Sequence, residues 1–254
     1  MKNDSFSTLI LAAGLGTRLK PLTDTMPKAL VPVANKPLLE HLIDRLKANG
    51  CTDVVVNVHH FAQQIIDFLA EKQDFGIHIQ VSDERDQLLE TGGAIKKAGP
   101  LFTDGKPFLV HNVDIFHNLD LHAFYHTYST QADAVLLVSQ RDTQRYLLFN
   151  ELDELVGWIN IKTGEVKSPF PSVESDITPY RKLAFSGIHI FSPSLLPDMA
   201  SWQDRFSIID FYLQSCATHR IIGVEKDELR LLDVGKINSL TIAEEFFQSS
   251  MNLV

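Results

Sequence analysis

The sequence predicts an α/β fold: a doubly wound, mainly parallel sheet that carries a small antiparallel subregion in its second half. Two observations predict it. As far as about residue 145, short apolar runs alternate with stretches of helical periodicity, the pattern of parallel βαβ units. From about Leu147 the apolar runs succeed one another with little helix between them, which reads as an antiparallel insertion.

Ser7 to Ala12 is an apolar run ending in glycine turns, so it reads as a buried strand. Leu38, Leu39, Leu42, Ile43 and Leu46 fall at helical spacing, with Gly50 as a stop signal. Asp53–Val58 is a second strand, Ile65, Ile66 and Leu69 mark a helix, and His78–Val81 and Phe108–His111 are further strands. Leu121–Tyr128 reads as a helix and Ala134–Val138 as a strand. Leu147–Phe149, Leu155–Ile159 and Ala184–Phe191 are the strands of the insertion, and Lys167–Arg181, with its three prolines, reads as an exposed loop. Ile208–Cys216 and Ile237–Phe247 are closing helices, with Phe246 and Phe247 expected in the core or on a dimer face. Residues 1–254 are expected to form a single domain, with a first half of about 1–145 and a closing half of about 146–254. Ligands of such sheets sit beyond the carboxyl ends of the strands, which directs attention to the loops after Ala12, Ser82, His111 and a late strand near Leu232.

Composition narrows the function. The net charge of -9 argues against a nucleic-acid-binding face, yet leaves room for a small phosphorylated ligand held by a few cations and amides. No apolar stretch is long enough to span a membrane. Met1 to Ser7 carries one lysine and no apolar run, so it does not read as a signal peptide. Two cysteines, Cys51 and Cys216, are too few for a disulfide scaffold, and a cytoplasmic protein is expected. The histidines show no zinc-binding spacing, and His111 is expected to be structural.

The most informative segment is Leu11 to Val33, LAAGLGTRLKPLTDTMPKALVPV. Gly14 and Gly16 permit close backbone approach and positive φ, so that amide groups can turn toward an anion, while Arg18 and Lys28 supply cations. A Walker A loop is absent, and Leu19 occupies the place of the third glycine of a dinucleotide fingerprint. The string instead resembles the N-terminal signature of the sugar-1-phosphate nucleotidylyltransferases, Gly-x-Gly-Thr-Arg-x-x-Pro-x-Thr-x-x-x-Pro-Lys. All eight fixed positions are filled, by Gly14, Gly16, Thr17, Arg18, Pro21, Thr23, Pro27 and Lys28.

Later segments resemble the same family. Glu90-Thr91-Gly92-Gly93 is similar to its base-recognition turn, and Asn112-Val113-Asp114 to its Asn-x-Asp metal site. Phe185-Ser186-Gly187-Ile188 is similar to its sugar-contacting strand, and Asp233-Val234-Gly235 to its second metal carboxylate. The likeness is strongest to the short N-acetylmuramate-1-phosphate uridylyltransferases, with mannose- and heptose-1-phosphate guanylyltransferases close behind. No β-helix acyltransferase extension is expected.

The resemblance implies a Rossmann-like, GT-A-like nucleotidyltransferase fold that joins an NTP, with UTP favoured, to a sugar 1-phosphate and releases pyrophosphate. It implies Mg²⁺ at Asp114 and Asp233 and catalytic roles for Arg18, on the leaving β- and γ-phosphates, and Lys28, at the α-phosphate. It places the nucleotide against Ala12, Ala13, Gly14, Gly16, Thr17, Glu90, Thr91, Gly92 and Asn112, and the sugar against Ser186 and Gly187. The chemistry suits these residues. A sugar phosphate is already an anionic nucleophile, and the obstacle is repulsion, about 4 kcal/mol for two unit charges ~4 Å apart at an effective dielectric near 20. Val113 stands where many relatives have a small residue, and the family's Glu-Lys-Pro turn is missing, with Lys167 and Lys182 the nearest substitutes. A GTP-dependent mannose or heptose enzyme and a non-catalytic nucleotide-sugar-binding regulator are the alternatives, and a monomer or homodimer is expected.

Overall fold

The computed structural model describes residues 5–251, with side chains through residue 245. The first four residues, read above as no leader, and the side chains of Phe246 and Phe247 lie outside the described residues. The chain forms two compact units: residues 1–88, 111–122 and 230–254, and residues 89–110 and 123–229. These boundaries interleave, because the chain passes between units four times.

The first unit is built on parallel strands. Phe6–Leu11 pairs in parallel with Cys51–Val58, which pairs in parallel with His78–Asp83. In the first two, valines, leucines and isoleucines form near-continuous buried runs, as strands covered on both faces require, whereas His78–Asp83 is mixed in polarity and only partly buried. The crossovers are the helices Leu38–Ala48 and Ala62–Glu71. The first buries Leu38, Leu39, Leu42, Ile43 and Leu46, the stripe seen in the sequence, and ends at Gly50, whose φ of 84° suits glycine. A two-stranded ribbon, Ile115–His117 against Leu231–Asp233, completes this unit.

In the second unit, Ala134–Ser139 pairs antiparallel with Arg181–Phe191 and parallel with Ile221–Val224. Arg145–Phe149, Leu155–Asn160 and Glu165–Lys167 form an antiparallel meander, as expected for the insertion, and its outer strand continues onto Arg181–Leu183. Alternation sorts the meander's faces. Leu148 and Ile159 pack with Val173 into a small apolar core, whereas Leu147, Trp158 and Lys167 align across the opposite face.

Three expectations change. The supposed exposed loop Lys167–Arg181 holds the helix Pro171–Ser175, whose Val173 is buried and caps the meander core. Ile221–Val224 is a buried parallel strand that its brevity concealed. Ile115–His117 is a strand only because Leu231–Asp233 pairs with it from over a hundred residues away. Among the described residues no helix is long and apolar enough to cross a membrane.

Gly223 packs against the ring of Phe149, which a Cβ at that position would meet at 2.6 Å. Gly223→Ala is therefore expected to cost about 1–3 kcal/mol through overpacking. Urea denaturation measures this, and an unchanged midpoint would show that the contact is slack.

Candidate active site

The residues of the glycine-rich signature pack on one another. Gly16 has φ 64°, and a Cβ there would lie 2.8 Å from Cγ2 of Thr23 and 3.0 Å from Cβ of Lys28. The hydroxyl of Thr23 donates to the carbonyl of Gly16 at 2.8 Å. Leu19, fully buried, pins the short 3₁₀ turn Thr17–Leu19 and leaves its neighbours Thr17 and Arg18 exposed. The spacing of the signature thus folds the loop back until Lys28 stands against Gly16.

The amides of Ala12 and Ala13 donate to Oδ1 of Asn57, at 2.6 and 3.1 Å. Asn57 is buried and its own amide donates to Glu84 at 2.8 Å. Among the described residues, no acceptor faces the amides of Gly14, Leu15 and Gly16, so the free donors of the loop begin at Gly14. Asn57 and Glu84 escaped the sequence reading; a polar residue inside the run DVVVNV was the available signal.

Beyond the loop lie two carboxylates on two turns, each anchored by a buried valine. Val113 follows Asn112 at the end of its strand, and its amide donates to the carbonyl of Leu11 at 3.2 Å. Val234 follows Asp233, and its amide donates to the carbonyl of Asp114 at 2.9 Å. These bonds bring the turns of Asp114 and Asp233 to the end of the first strand. The bulk of Val113 goes into the core, where it holds the turn.

Lys28 forms an ion pair with Asp114, and both side chains are largely buried, at 12% and 13% exposure. Residue 233 is exposed overall, but its carboxyl is partly withdrawn from water, and that pushes its pKa up. The charge of Asp114 raises it further, Lys28 and Arg18 pull it down, and a hydrogen bond with Asp114 raises it again. Arg18 reaches the same turn: a Cβ on Gly235 would lie 2.7 Å from Nη2 of Arg18 and 2.6 Å from Oδ1 of Asp233. Arg18, Lys28, Asp114 and Asp233 therefore belong to one site within the first unit, and Asn112 ends the strand that leads into the turn of Asp114.

Beneath this site lie two buried histidines with determinable tautomers. The amide of Leu119 can only donate, so Nδ1 of His117 accepts, at 3.1 Å. Its Nε2 then carries the proton and donates to Nε2 of His111 at 2.9 Å. Nδ1–H of His111 donates to the carbonyl of Asn112 at 2.8 Å. Burial lowers the pKa of His111 to about 4 and that of His117 as well. Both cysteines are free, and burial raises their thiols to about 11 for Cys51 and about 12 for Cys216.

The remaining sequence-derived residues lie in the second unit, where several are engaged by the chain itself. Glu90, with φ 61°, opens the helix Glu90–Ala98 and pairs with Arg205 at 2.8 Å. The hydroxyl of Thr91 accepts from the amide of Ile208 at 3.0 Å. Gly92 and Gly93 admit a close approach, but the neighbour that uses it is the segment Asp204–Phe206: Cβ atoms there would meet the Phe206 ring at 2.3 Å and the Asp204 carbonyl at 2.0 Å. The hydroxyl of Ser186 donates to the carbonyl of Leu137 at 2.5 Å, and Gly187, with φ 79°, lies in the irregular stretch of its strand. Lys167 lines a cavity of about 590 Å³ together with Glu90 and Phe185, and Lys182 does not.

A profile of the nucleotidyl transferase family matches residues 7–250. The chain is 35% identical over 231 residues to an N-acetylmuramate alpha-1-phosphate uridylyltransferase of Caulobacter vibrioides, covering 87% of this chain and 88% of the relative. It is 35% identical to a Neisseria meningitidis protein of the same description, covering 74% of this chain and 75% of that one. In structure it is similar to HddC from Yersinia pseudotuberculosis complexed with GMP-PN, with TM-score 0.74, 24% identity and coverage of 95% of this chain and 99% of that one. This chain belongs to the nucleotidyl transferase family. Within it, the chain is a sugar-1-phosphate nucleotidylyltransferase, as its signature led us to expect.

Asn57→Ala would orphan the two amides at the end of the first strand, at about 1–3 kcal/mol for each buried group. A drop in the urea midpoint of that order is expected, and none would mean that the amides find other partners. Buried His111 stays neutral while an unfolded histidine, with pKa near 6.5, gains a proton. Its contribution is present above pH 6.5 and lost as pH falls from there to about 4, on the order of 3 kcal/mol. Denaturation midpoints across that window should fall less in His111→Gln than in wild type; equal slopes would contradict a neutral His111.

Proposed function

We propose that this enzyme joins UTP to an N-acetylated amino-sugar 1-phosphate of the N-acetylmuramate 1-phosphate type, giving the UDP-sugar and pyrophosphate, with Mg²⁺ as cofactor. One observation carries the catalytic assignment: Lys28, Arg18, Asp114 and Asp233 converge at the end of the first strand, beside the unengaged amides of Gly14–Gly16. The choice of substrates rests on 35% identity to two uridylyltransferases across most of this chain.

The two carboxylates suit a divalent cation. Asp114 stands close enough to disfavour the charge of Asp233, and Mg²⁺ prefers one or two carboxylates together with phosphate oxygens. Asp114 and Asp233 would hold it, and when bound it would neutralise phosphate charge and orient the reacting phosphates. Lys28 would turn from Asp114 to the α-phosphate. Arg18, exposed, is free to take the β- and γ-phosphates, with the amides from Gly14 to Gly16 beside it. A sugar phosphate oxygen forms the bond to the α-phosphorus as the bond to the β-phosphate oxygen breaks, and the electron pair leaves with pyrophosphate. No proton need be removed, which accords with neutral histidines beneath the site.

Within the first unit, the nucleotide is assigned to Ala12, Ala13, Gly14, Gly16, Thr17 and Asn112. The sugar is assigned to the strand of Ser186 and Gly187. A cytoplasmic location accords with the two free cysteines and with the absence of a membrane-spanning helix among the described residues.

Pyrophosphate release is expected from UTP with N-acetylmuramate 1-phosphate in Mg²⁺, and its loss on chelation. Equal or greater release with GTP and mannose 1-phosphate would overturn the substrate assignment. Lys28→Ala and Asp114→Ala should each lower kcat about 10²-fold or more with the fold intact by circular dichroism. Wild-type turnover in either variant removes that residue from the mechanism.

A further inference from the structure

The polar face of the meander borders a cavity of about 590 Å³ in the second unit, which Phe185, the neighbour of Ser186, also lines. Its charges are unevenly matched. Lys167 pairs with Asp210 at 3.4 Å and with Glu165 at 3.9 Å, and Glu90 pairs with Arg205 at 2.8 Å. All three carboxylates of the lining are thereby engaged. Arg141 and Arg145 have no carboxylate partner among the described residues. Among the described residues, Nη2 of Arg141 donates only to the carbonyl of Phe185, at 3.0 Å, and the guanidinium of Arg145 has no partner. Arg145 stands opposite Asn160 in the meander register, one row from Trp158.

Two guanidiniums facing a cavity without a counterion are suited to a ligand carboxylate, since the planar fork binds such a group through paired, charge-assisted hydrogen bonds. Trp158, over whose ring the Lys167 ammonium lies 5.3 Å from the centroid, forms part of the wall, and the side-chain NH2 of Asn160, whose Oδ1 accepts from the amide of Lys162 at 3.0 Å, offers a donor to an acyl-amino group. Lys28 is assigned to the α-phosphate of the nucleotide, and the sugar's own phosphate is common to every sugar 1-phosphate, so cations that read only that phosphate cannot tell one such sugar from another. We infer that this cavity selects sugar 1-phosphates carrying a carboxylate on a ring substituent, and that Arg145, assisted by Arg141, reads that carboxylate. This rests on the nucleotidyl-transfer reading above and adds the acidic substituent as the determinant of choice.

The test compares N-acetylmuramate 1-phosphate with N-acetylglucosamine 1-phosphate, which lacks the carboxylate-bearing ether, using UTP, Mg²⁺ and pyrophosphate release. Wild type is expected to show a KM about tenfold or more lower for the acidic sugar. Arg145→Ala is expected to erase that difference by raising KM for the acidic sugar, and Arg145→Lys to restore part of it. Equal KM values in wild type overturn the inference, with no variant needed. So does a loss in Arg145→Ala that is absent or is the same for both sugars, the latter meaning that the residue reads a group both share. If wild type releases pyrophosphate with neither sugar nor any other sugar 1-phosphate, it is the proposed reaction that fails.

Discussion

Two carboxylates held side by side repel, and the architecture of the first unit is organised around making that arrangement stable. Asp114 is held by an ion pair with Lys28, and Asp233 lies beside the guanidinium of Arg18 at the Gly235 turn. The valine after Asn112 and the valine after Asp233 are buried, and their amides tie both turns to the end of the first strand. The raised pKa of Asp233 records the residual strain of charge: partial burial and Asp114 outweigh two nearby cations. Such a site is poised to accept positive charge, and in the proposed reaction the proposed metal supplies it where phosphates must be brought together.

The glycine-rich loop serves the same end. Its threonine and lysine fold back onto Gly16, so that loop and lysine form one packed object. Asn57 takes the amides of Ala12 and Ala13, which fixes where the strand stops and where amides without an acceptor begin. Beneath, the relay from Leu119 through His117 and His111 to Asn112 is set in direction by a single backbone N–H. It supports the turn of Asp114 without charge, and burial keeps it so.

Much of this was legible because local chemistry demanded it. Strand Phe6–Leu11, helix Leu38–Ala48 and the signature from Gly14 to Lys28 carry their reasons within a few residues, as apolar spacing or as turns and cations. What was missed depends on partners distant in sequence. Asn57 looks like one polar residue in a strand until the amides of the first strand meet it. The short strand Ile115–His117 exists through Leu231–Asp233, and the helix Pro171–Ser175 through the apolar face of the meander. Gly92 and Gly93 suggested room for a base, whereas the nearest neighbour demanding that room is Phe206 with its preceding residues. Arg145 left no sequence signal, because its interest lies in the absence, among the described residues, of a carboxylate partner at a cavity wall.

The central claim is that Asp114 and Asp233 act together as one divalent-cation site, and manganese titration followed by electron paramagnetic resonance tests it most directly. Wild type should bind Mn²⁺, and Asp114→Asn or Asp233→Asn should each weaken that binding about tenfold or more. Equal Mn²⁺ affinity in wild type and both variants would contradict the account.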